Sequence, residues 1–265
     1  MKIAILGVGH MGSWLAEVLS VEHEIAVYDS DESKLRKRYN VRPLKDLGEI
    51  REYNPALLIN AVSLQHTKAA FEAVLQYLGE ECVLCDVASV KAGIAAYYKD
   101  AGFRFVSVHP MFGPTFADMR ALREENGVII SESCSEGKKF FQYFFARIGL
   151  QVFEYSFEEH DRIMAYSLTI PFISSMIFAG CVDAKAVPGT TFKRHMALAR
   201  GLLAEDDHLL AEILFNPHSI EQLGRVTSQL DFLKHIIKGR DYETAREFLQ
   251  KLRENMGAPE GSLEG

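Results

Sequence analysis

A histidine at the end of an apolar segment is the residue in this sequence best suited to proton transfer. His109 follows the run Phe105–Val108 and precedes Pro110. An imidazole titrates near neutral pH, so it can accept or release a proton under physiological conditions. Pro110, Gly113 and Pro114 restrict the backbone around it, which indicates a specified local shape. The residue type alone leaves both a catalytic and a structural role open.

A glycine-rich turn near the N-terminus has the spacing of a dinucleotide-binding loop. The segment G-V-G-H-M-G at positions 7–12 follows the apolar run Lys2–Leu6 and opens a helical pattern. Gly7 permits the tight turn, Gly9 lets the backbone approach a pyrophosphate, and Gly12 lets the helix pack against the strand. Free N–H groups at the helix start favour phosphate oxygens. The residues predicted to bind the cofactor here are Gly7, Gly9, His10, Met11 and Gly12.

An aspartate after the second apolar run bears on the choice of cofactor. Asp29 lies 17 residues beyond Gly12, near the spacing of about 20 expected for the acid that binds the ribose. A carboxylate accepts hydrogen bonds from the ribose 2′-hydroxyl but repels a 2′-phosphate, so we expect NAD rather than NADP. Arg36 and Lys37 follow Asp29 and would weaken this preference.

Short apolar segments alternate with helical patterns through the first half of the chain. The strand-like segments are 2–6, 24–28, 57–62, 82–87, 105–109, 127–131 and 151–155. This alternation predicts βαβ units, and hence an α/β fold with a Rossmann-type, mostly parallel sheet. After Ser156 the segments with helical patterns are 157–183, 190–203, 205–215, 218–238 and 241–256. We therefore expect a dinucleotide-binding domain over 1–156, an all-α dimerisation and substrate domain over 157–256, and a tail over 257–265.

Two loops at strand ends are expected to meet, because parallel strands bring their carboxyl ends to one edge of the sheet. One loop carries Ser89 and Lys91, and the other begins at His109. Lys91 is predicted either to contact a phosphate or the substrate, or to be a solvated surface side chain.

Composition excludes several classes of partner. A net charge of -7 disfavours nucleic acids and anionic membranes, which need a basic face. Four scattered cysteines indicate a reducing, cytoplasmic environment. Cys82 and Cys85 are three apart on a predicted strand, so they should face opposite ways and pack rather than bind a metal. The uncharged run 163–182 contains a proline and several hydroxyl residues, and we predict a buried helix or subunit interface rather than a membrane span.

Three segments, taken together with the glycine loop, resemble prephenate dehydrogenases. They are Ser89-Val90-Lys91, the H-P-M-F-G-P run at 109–114, and Glu159-His160-Asp161-Arg162. The resemblance covers about residues 1–240 and implies an NAD-dependent homodimer, built through its C-terminal helices, that oxidatively decarboxylates prephenate to 4-hydroxyphenylpyruvate in tyrosine biosynthesis. It implies His109 as the base, and Ser89 as the residue that hydrogen-bonds the substrate hydroxyl and the histidine. The segment 159–161 is interpreted as the first turn of a helix, where acids are favoured.

The sequence departs from that family where relatives hold the substrate. Relatives carry S-H-L-P-H on the long helix, and this chain has Leu168-Thr169-Ile170-Pro171-Phe172 instead. Ala197 occupies the place of an arginine that grips a substrate carboxylate. On a helix over 190–203, Arg194 and Arg200 would flank that position, and we expect Arg194 to substitute, with Lys193 as a lesser candidate.

Three alternative functions remain open at this point. The first is an arogenate dehydrogenase. The second is another Rossmann oxidoreductase of the 3-hydroxyacid dehydrogenase, imine reductase or pyrroline-carboxylate reductase type, although these usually depend on a lysine or hydroxyl residue in the helical domain. The third is a non-catalytic NAD-binding regulator, which would bind NADH but turn over no prephenate.

Overall fold

A computed structural model describes residues 1–35, 40–91, 93–112, 122, 125–183 and 187–257. Arg36, Lys37, Gly113 and Pro114 lie outside these ranges, so the sequence predictions that involve them have no structural counterpart here.

Within the described residues, eight strands form a single sheet in the order β3-β2-β1-β4-β5-β6-β7-β8. The strands are β1 (Lys2–Leu6), β2 (Glu24–Tyr28), β3 (Arg42–Pro43), β4 (Leu57–Asn60), β5 (Val83–Asp86), β6 (Phe105–Pro110), β7 (Asn126–Ile130) and β8 (Gln151–Tyr155). Every neighbouring pair is parallel except β6 and β7. The first six strands follow the Rossmann order, with the topological switch between β1 and β4. The predicted Rossmann-type, mostly parallel sheet is therefore confirmed.

Helices join the strands and then continue beyond the sheet. Those of the first half are α1 (His10–Leu19), α2 (Glu49–Tyr53), α3 (Thr67–Leu75), α4 (Ile94–Ala101) and α5 (Ser135–Ile148). Those that follow β8 are α6 (Phe157–Met164), α7 (Ile170–Gly180), α8 (Thr190–Leu202), α9 (Asp207–Leu214), α10 (Ser219–Gly239) and α11 (Tyr242–Asn255). A single π-helical turn over Ala165–Thr169 joins α6 to α7.

Two apolar clusters cover the two faces of the sheet, as alternation along the strands requires. Ile3 and Ile5 belong to one cluster, which includes the phenylalanines of α5. Ala4 and Leu6 belong to the other, which includes residues of α3 and α4. Cys85 lies in the first cluster and Cys82 in the second, which confirms that the two thiols face opposite sides.

The first helix after the sheet starts with a well-formed cap. The Ser156 hydroxyl accepts a hydrogen bond from the Glu159 N–H, and the Glu159 carboxylate accepts one from the Ser156 N–H. This capping box satisfies two backbone donors that the helix leaves free. It confirms that the segment opens a helix, with Glu159 in the first turn, whereas Asp161 lies beyond that turn.

The continuous helix Phe157–Gly180 is little buried within one chain. The helix has 24 residues, and its most apolar 18-residue window has a mean hydropathy of 1.6, so by length and composition it could cross a membrane; 17% of that window is buried. The expectation of a helix buried inside a single chain is therefore wrong. The alternative expectation, a subunit interface, stays a prediction.

Candidate active site

The glycine loop after β1 has a shape that side chains at two positions would destroy. Gly7 has a φ of +85°, and its N–H donates to the Tyr28 carbonyl at 2.8 Å. An ideal Cβ on Gly12 would lie 1.9 Å from the Gly7 carbonyl oxygen, so the first turn of α1 packs directly on the loop. A Cβ on Gly9 would meet nothing within 4 Å. Gly9 therefore faces the open space that a pyrophosphate requires.

The other two residues of the loop differ in their surroundings. His10 is the first residue of α1 and is exposed, while Met11 is half-buried and packs against the core. Only His10 therefore presents its side chain freely at the helix start.

Asp29 ties the glycine loop to the end of β2. One carboxylate oxygen accepts the Val8 N–H at 2.7 Å, and the other accepts the Asp31 N–H at 2.9 Å. The Lys34 ammonium lies 3.6 Å from the second oxygen. A carboxylate offers about four acceptor sites, so Asp29 can still accept hydrogen bonds from a ribose.

A buried ion pair lies between the ends of β5 and β6. The Lys91 ammonium donates to the Asp86 carboxylate and, at 2.7 Å, to the carbonyl of Val108, and both charged side chains are fully buried. The Tyr98 hydroxyl donates to the second oxygen of Asp86 at 2.8 Å, and the Ala88 N–H donates to the first at 3.2 Å. Both roles predicted for Lys91 are wrong, because its ammonium is buried and donates to Asp86 and Val108 rather than to water or a ligand. The sequence pattern did not indicate that Asp86, at the end of the same strand, would pair with it.

Two histidines from different parts of the chain meet beside this pair. His109, on β6, is 6% exposed, and its Nδ1 lies 3.1 Å from Nε2 of His160 on α6. His160 is fully buried, and its Nδ1 lies 3.2 Å from a carboxylate oxygen of Asp161. The Asn216 amide, between α9 and α10, donates to the Asp161 carbonyl at 2.8 Å. Helices from beyond the sheet thus hold a second imidazole against the candidate base.

The surroundings of His109 favour its neutral form. Burial, then the neighbouring His160, then the Lys91 ammonium hold the pKa of His109 well below its usual range. Burial, followed by the charge of Lys91, lowers the pKa of His160 as well. The hydrogen bond to Asp161 and the charge of Asp86 raise it, but the net pKa of His160 is lowered. A neutral imidazole has a lone pair available to accept a proton.

The remaining predicted site residues are not joined to this cluster. Ser89 is half-buried in the loop after β5, and no hydrogen bond links it to His109 among the described residues. Arg194 is exposed on α8, a helix that packs on α7, and has no hydrogen-bond or ionic partner in the described ranges. Sequence reasoning missed His160 as a neighbour of His109. The signal was present in the Glu159-His160-Asp161 motif, whose acids suggested only a helix start.

Comparison with known proteins gives consistent matches along the chain. The family model described as "Prephenate dehydrogenase, nucleotide-binding domain" matches residues 17–145. Arogenate dehydrogenase 1 of Arabidopsis thaliana is 26% identical over 263 residues, which span 93% of this chain and 41% of that protein. A probable arogenate/prephenate dehydrogenase of Methanocaldococcus jannaschii is 24% identical over 97% of this chain and 61% of its own. The chain thus spans about two fifths to three fifths of the length of these two relatives.

A solved structure shares the fold over its whole length. Prephenate dehydrogenase from Aquifex aeolicus, in complex with hydroxyphenyl propionate and NAD+, superimposes with a TM-score of 0.82. The alignment covers 98% of each chain at 16% identity. Together, the nucleotide-binding family model, the curated relatives and this shared fold support the prephenate and arogenate dehydrogenase family for this chain.

Proposed function

We propose that this protein is an NAD-dependent dehydrogenase that oxidatively decarboxylates prephenate to 4-hydroxyphenylpyruvate. The observation that carries the proposal is a neutral, buried His109 held at the carboxyl edge of a Rossmann sheet, beside a second histidine. Ligands of such sheets bind at that edge. Similarity to prephenate and arogenate dehydrogenases supports the class of substrate, since those proteins are named for acting on prephenate or arogenate.

NAD is the cofactor that the residues around β1 fit. Open space at Gly9 suits a pyrophosphate, and Asp29 retains acceptor capacity for the ribose hydroxyls. When bound, NAD supplies the acceptor for the hydride that leaves the ring carbon bearing the substrate hydroxyl. The solved relative from Aquifex aeolicus was crystallised with NAD+.

His109 accepts the proton of the substrate hydroxyl in this proposal. The O–H bond breaks as an N–H bond forms on the imidazole, and the carbon becomes a carbonyl as the hydride departs. Loss of the ring carboxylate as carbon dioxide leaves its electron pair in the ring, and His109 returns the proton to the oxygen that becomes the phenol. Ser89, on the neighbouring loop, hydrogen-bonds the same hydroxyl group. Aromatisation makes the step effectively irreversible.

Arg194 is proposed to hold a carboxylate of the substrate. Prephenate carries two carboxylates, and desolvating either without a cationic partner is costly. Arg194 is exposed and has no partner among the described residues, so its guanidinium is available. It could act on the site of its own chain or on that of a second copy.

We also propose a homodimer formed by the C-terminal helices. Large apolar side chains remain exposed along these helices, and burial of such side chains against a second copy would remove them from water. They include Leu198, Phe215, Ile220, Leu230, Ile237 and Leu249. Sedimentation equilibrium at micromolar protein should give a dimer, and a clean monomer would contradict this proposal.

One assay tests the proposed activity. NADH formation is followed by absorbance with prephenate and with arogenate, each with NAD and with NADP, and with a 3-hydroxyacid as control. We expect the highest kcat/KM for prephenate with NAD. Arogenate is the second candidate, because the Arabidopsis relative is an arogenate dehydrogenase. Turnover of the 3-hydroxyacid alone would refute the proposal, and higher efficiency with NADP would refute the argument from Asp29. NADH binding with no turnover of any substrate would favour a regulator.

A further inference from the structure

His109, His160 and Asp161 form a continuous chain of hydrogen bonds, which runs from the candidate base through a second imidazole to a carboxylate. The distances are 3.1 Å from His109 Nδ1 to His160 Nε2, and 3.2 Å from His160 Nδ1 to the Asp161 carboxylate. His160 is fully buried, and within the described residues its ring makes no hydrogen bond besides these two. Both of its nitrogens are therefore committed.

The order of donors along this chain follows from chemistry. A carboxylate only accepts hydrogen bonds, so the proton between His160 and Asp161 belongs to Nδ1 of His160. A neutral imidazole has one N–H, so Nε2 of His160 is an acceptor, and Nδ1 of His109 must donate to it. Nε2 of His109 then keeps its lone pair, and it has no partner among the described residues.

We propose that His160 and Asp161 are positioning residues, which orient the ring of His109 and select the tautomer whose Nε2 accepts the hydroxyl proton. The inference rests on the proposed function of His109. After the proton transfer, His109 is a cation that still donates from Nδ1 to His160, whose other N–H points at the Asp161 carboxylate. The same arrangement of base and orienting groups recurs wherever a histidine must act in one tautomer.

Asp161, at which the chain of hydrogen bonds ends, is itself fixed in place. Asn216 donates to the Asp161 carbonyl, and the Ser156–Glu159 capping box sets the start of α6. Three charged groups face the two histidines through contacts or charge, and they lie on different elements. The Lys91 ammonium, on the loop after β5, lowers the pKa of both histidines. The carboxylates of Asp161 on α6 and Asp86 on β5 act on His160 and raise its pKa. The charges on β5 and its loop remain unchanged in the variants of His160, Asp161 and Glu159 that test this proposal.

The tautomer can be read directly, without turnover. Protein labelled with 15N-histidine is studied by long-range 1H–15N correlation, and His109 and His160 are assigned from the missing signals of His109→Asn and His160→Leu. Near neutral pH we expect His109 with its proton on Nδ1 and a bare Nε2. In Asp161→Asn the amide can donate to His160 Nδ1, so the His109 proton should move to Nε2 in a substantial fraction of molecules. Wild-type His109 with its proton on Nε2 would overturn the proposal.

Kinetics supply the second readout. Asp161→Asn should lower kcat by about 10-fold or more, as the loss of a group that orients a histidine ring does in other sites. The KM for NAD should stay unchanged, because the glycine loop at 7–12 follows β1 and includes neither His160 nor Asp161. His160→Gln, whose amide oxygen can accept from His109, should retain several times the kcat of His160→Leu.

A matched control lies in the same turn of α6. Glu159→Gln removes one negative charge beside Asp161 but touches only the helix cap. It should leave kcat within about twofold of wild type. Equal losses in Glu159→Gln and Asp161→Asn would show a structural effect and refute the positioning role. If wild-type protein turns over neither prephenate nor arogenate, the proposed function fails, and the 15N measurement still decides the tautomer.

Discussion

The buried ion pair Asp86–Lys91 should be the most sensitive polar contact in the nucleotide-binding half. Lys91→Met keeps the length of the side chain but removes the ammonium, and leaves a fully buried carboxylate with only the Tyr98 hydroxyl and the Ala88 N–H. Breaking a buried pair from one side costs about 3–5 kcal/mol. Against a total stability of about 5–15 kcal/mol, this loss is large.

Urea unfolding followed by circular dichroism at fixed pH and protein concentration measures the effect. The free energy of unfolding should fall by about 3–5 kcal/mol in Lys91→Met. In Asp86→Asn/Lys91→Met at least about half of that loss should return, because no uncompensated charge is left inside. Tyr98→Phe is the control, which loses one hydrogen bond to the same carboxylate and should cost about 1–3 kcal/mol.

The double variant also has a consequence for His109. Lys91 contributes to the lowered pKa of His109, so replacing the pair by neutral groups should raise that pKa. The acid limb of kcat/KM should then move to higher pH. The pair would not act as a coupled, charged unit beside the base if two results were found together. These are a loss of unfolding free energy in the double variant equal to the sum of the single losses, and an acid limb of kcat/KM that does not move.

Three further predictions concern the cofactor loop, the base and the substrate anchor. Gly9→Ala should fold normally but bind NADH at least about tenfold more weakly, whereas Gly12→Ala should lower the thermal midpoint as well, because its Cβ would clash with the loop. Fluorescence titration and thermal unfolding measure these effects, and equal NADH affinity in Gly9→Ala and wild type would contradict the assignment. His109→Asn should lower kcat by about 100-fold or more and leave NADH affinity unchanged. Wild-type activity should rise with pH through an ionisation with a pKa below the usual range of histidine, and the variant should lack that ionisation. A variant that keeps more than a tenth of the turnover would remove His109 from the mechanism. Arg194→Ala should raise the KM for prephenate by about 10-fold to 100-fold, matching a charged hydrogen bond of about 1.5–3 kcal/mol, with the KM for NAD unmoved. If Arg200→Ala has this phenotype instead, the placement of the anchor on α8 is wrong.

Local patterns in the sequence were enough to determine the architecture. The apolar runs 2–6, 24–28 and 151–155 match the strands β1, β2 and β8 residue for residue. The glycine spacing identified the turn between β1 and α1, because the positive φ of Gly7 and the contact between Gly12 and the Gly7 carbonyl are local features of that turn. The two-residue β3 was not predicted, since a strand so short has no period to detect.

Contacts between distant residues were decided only by the tertiary structure. Lys91 looks like a solvated or ligand-binding side chain in sequence, and only the pairing of β5 with β6 places its ammonium against Asp86 and the Val108 carbonyl. His160 lies 51 positions after His109, and nothing in a helix-start motif tells which way its ring points. Periodicity reports which face of an element is apolar, whereas hydrogen bonds between elements depend on distances that close only when the chain folds. For that reason the base could be proposed from the sequence, but the groups that orient it and keep it neutral could not.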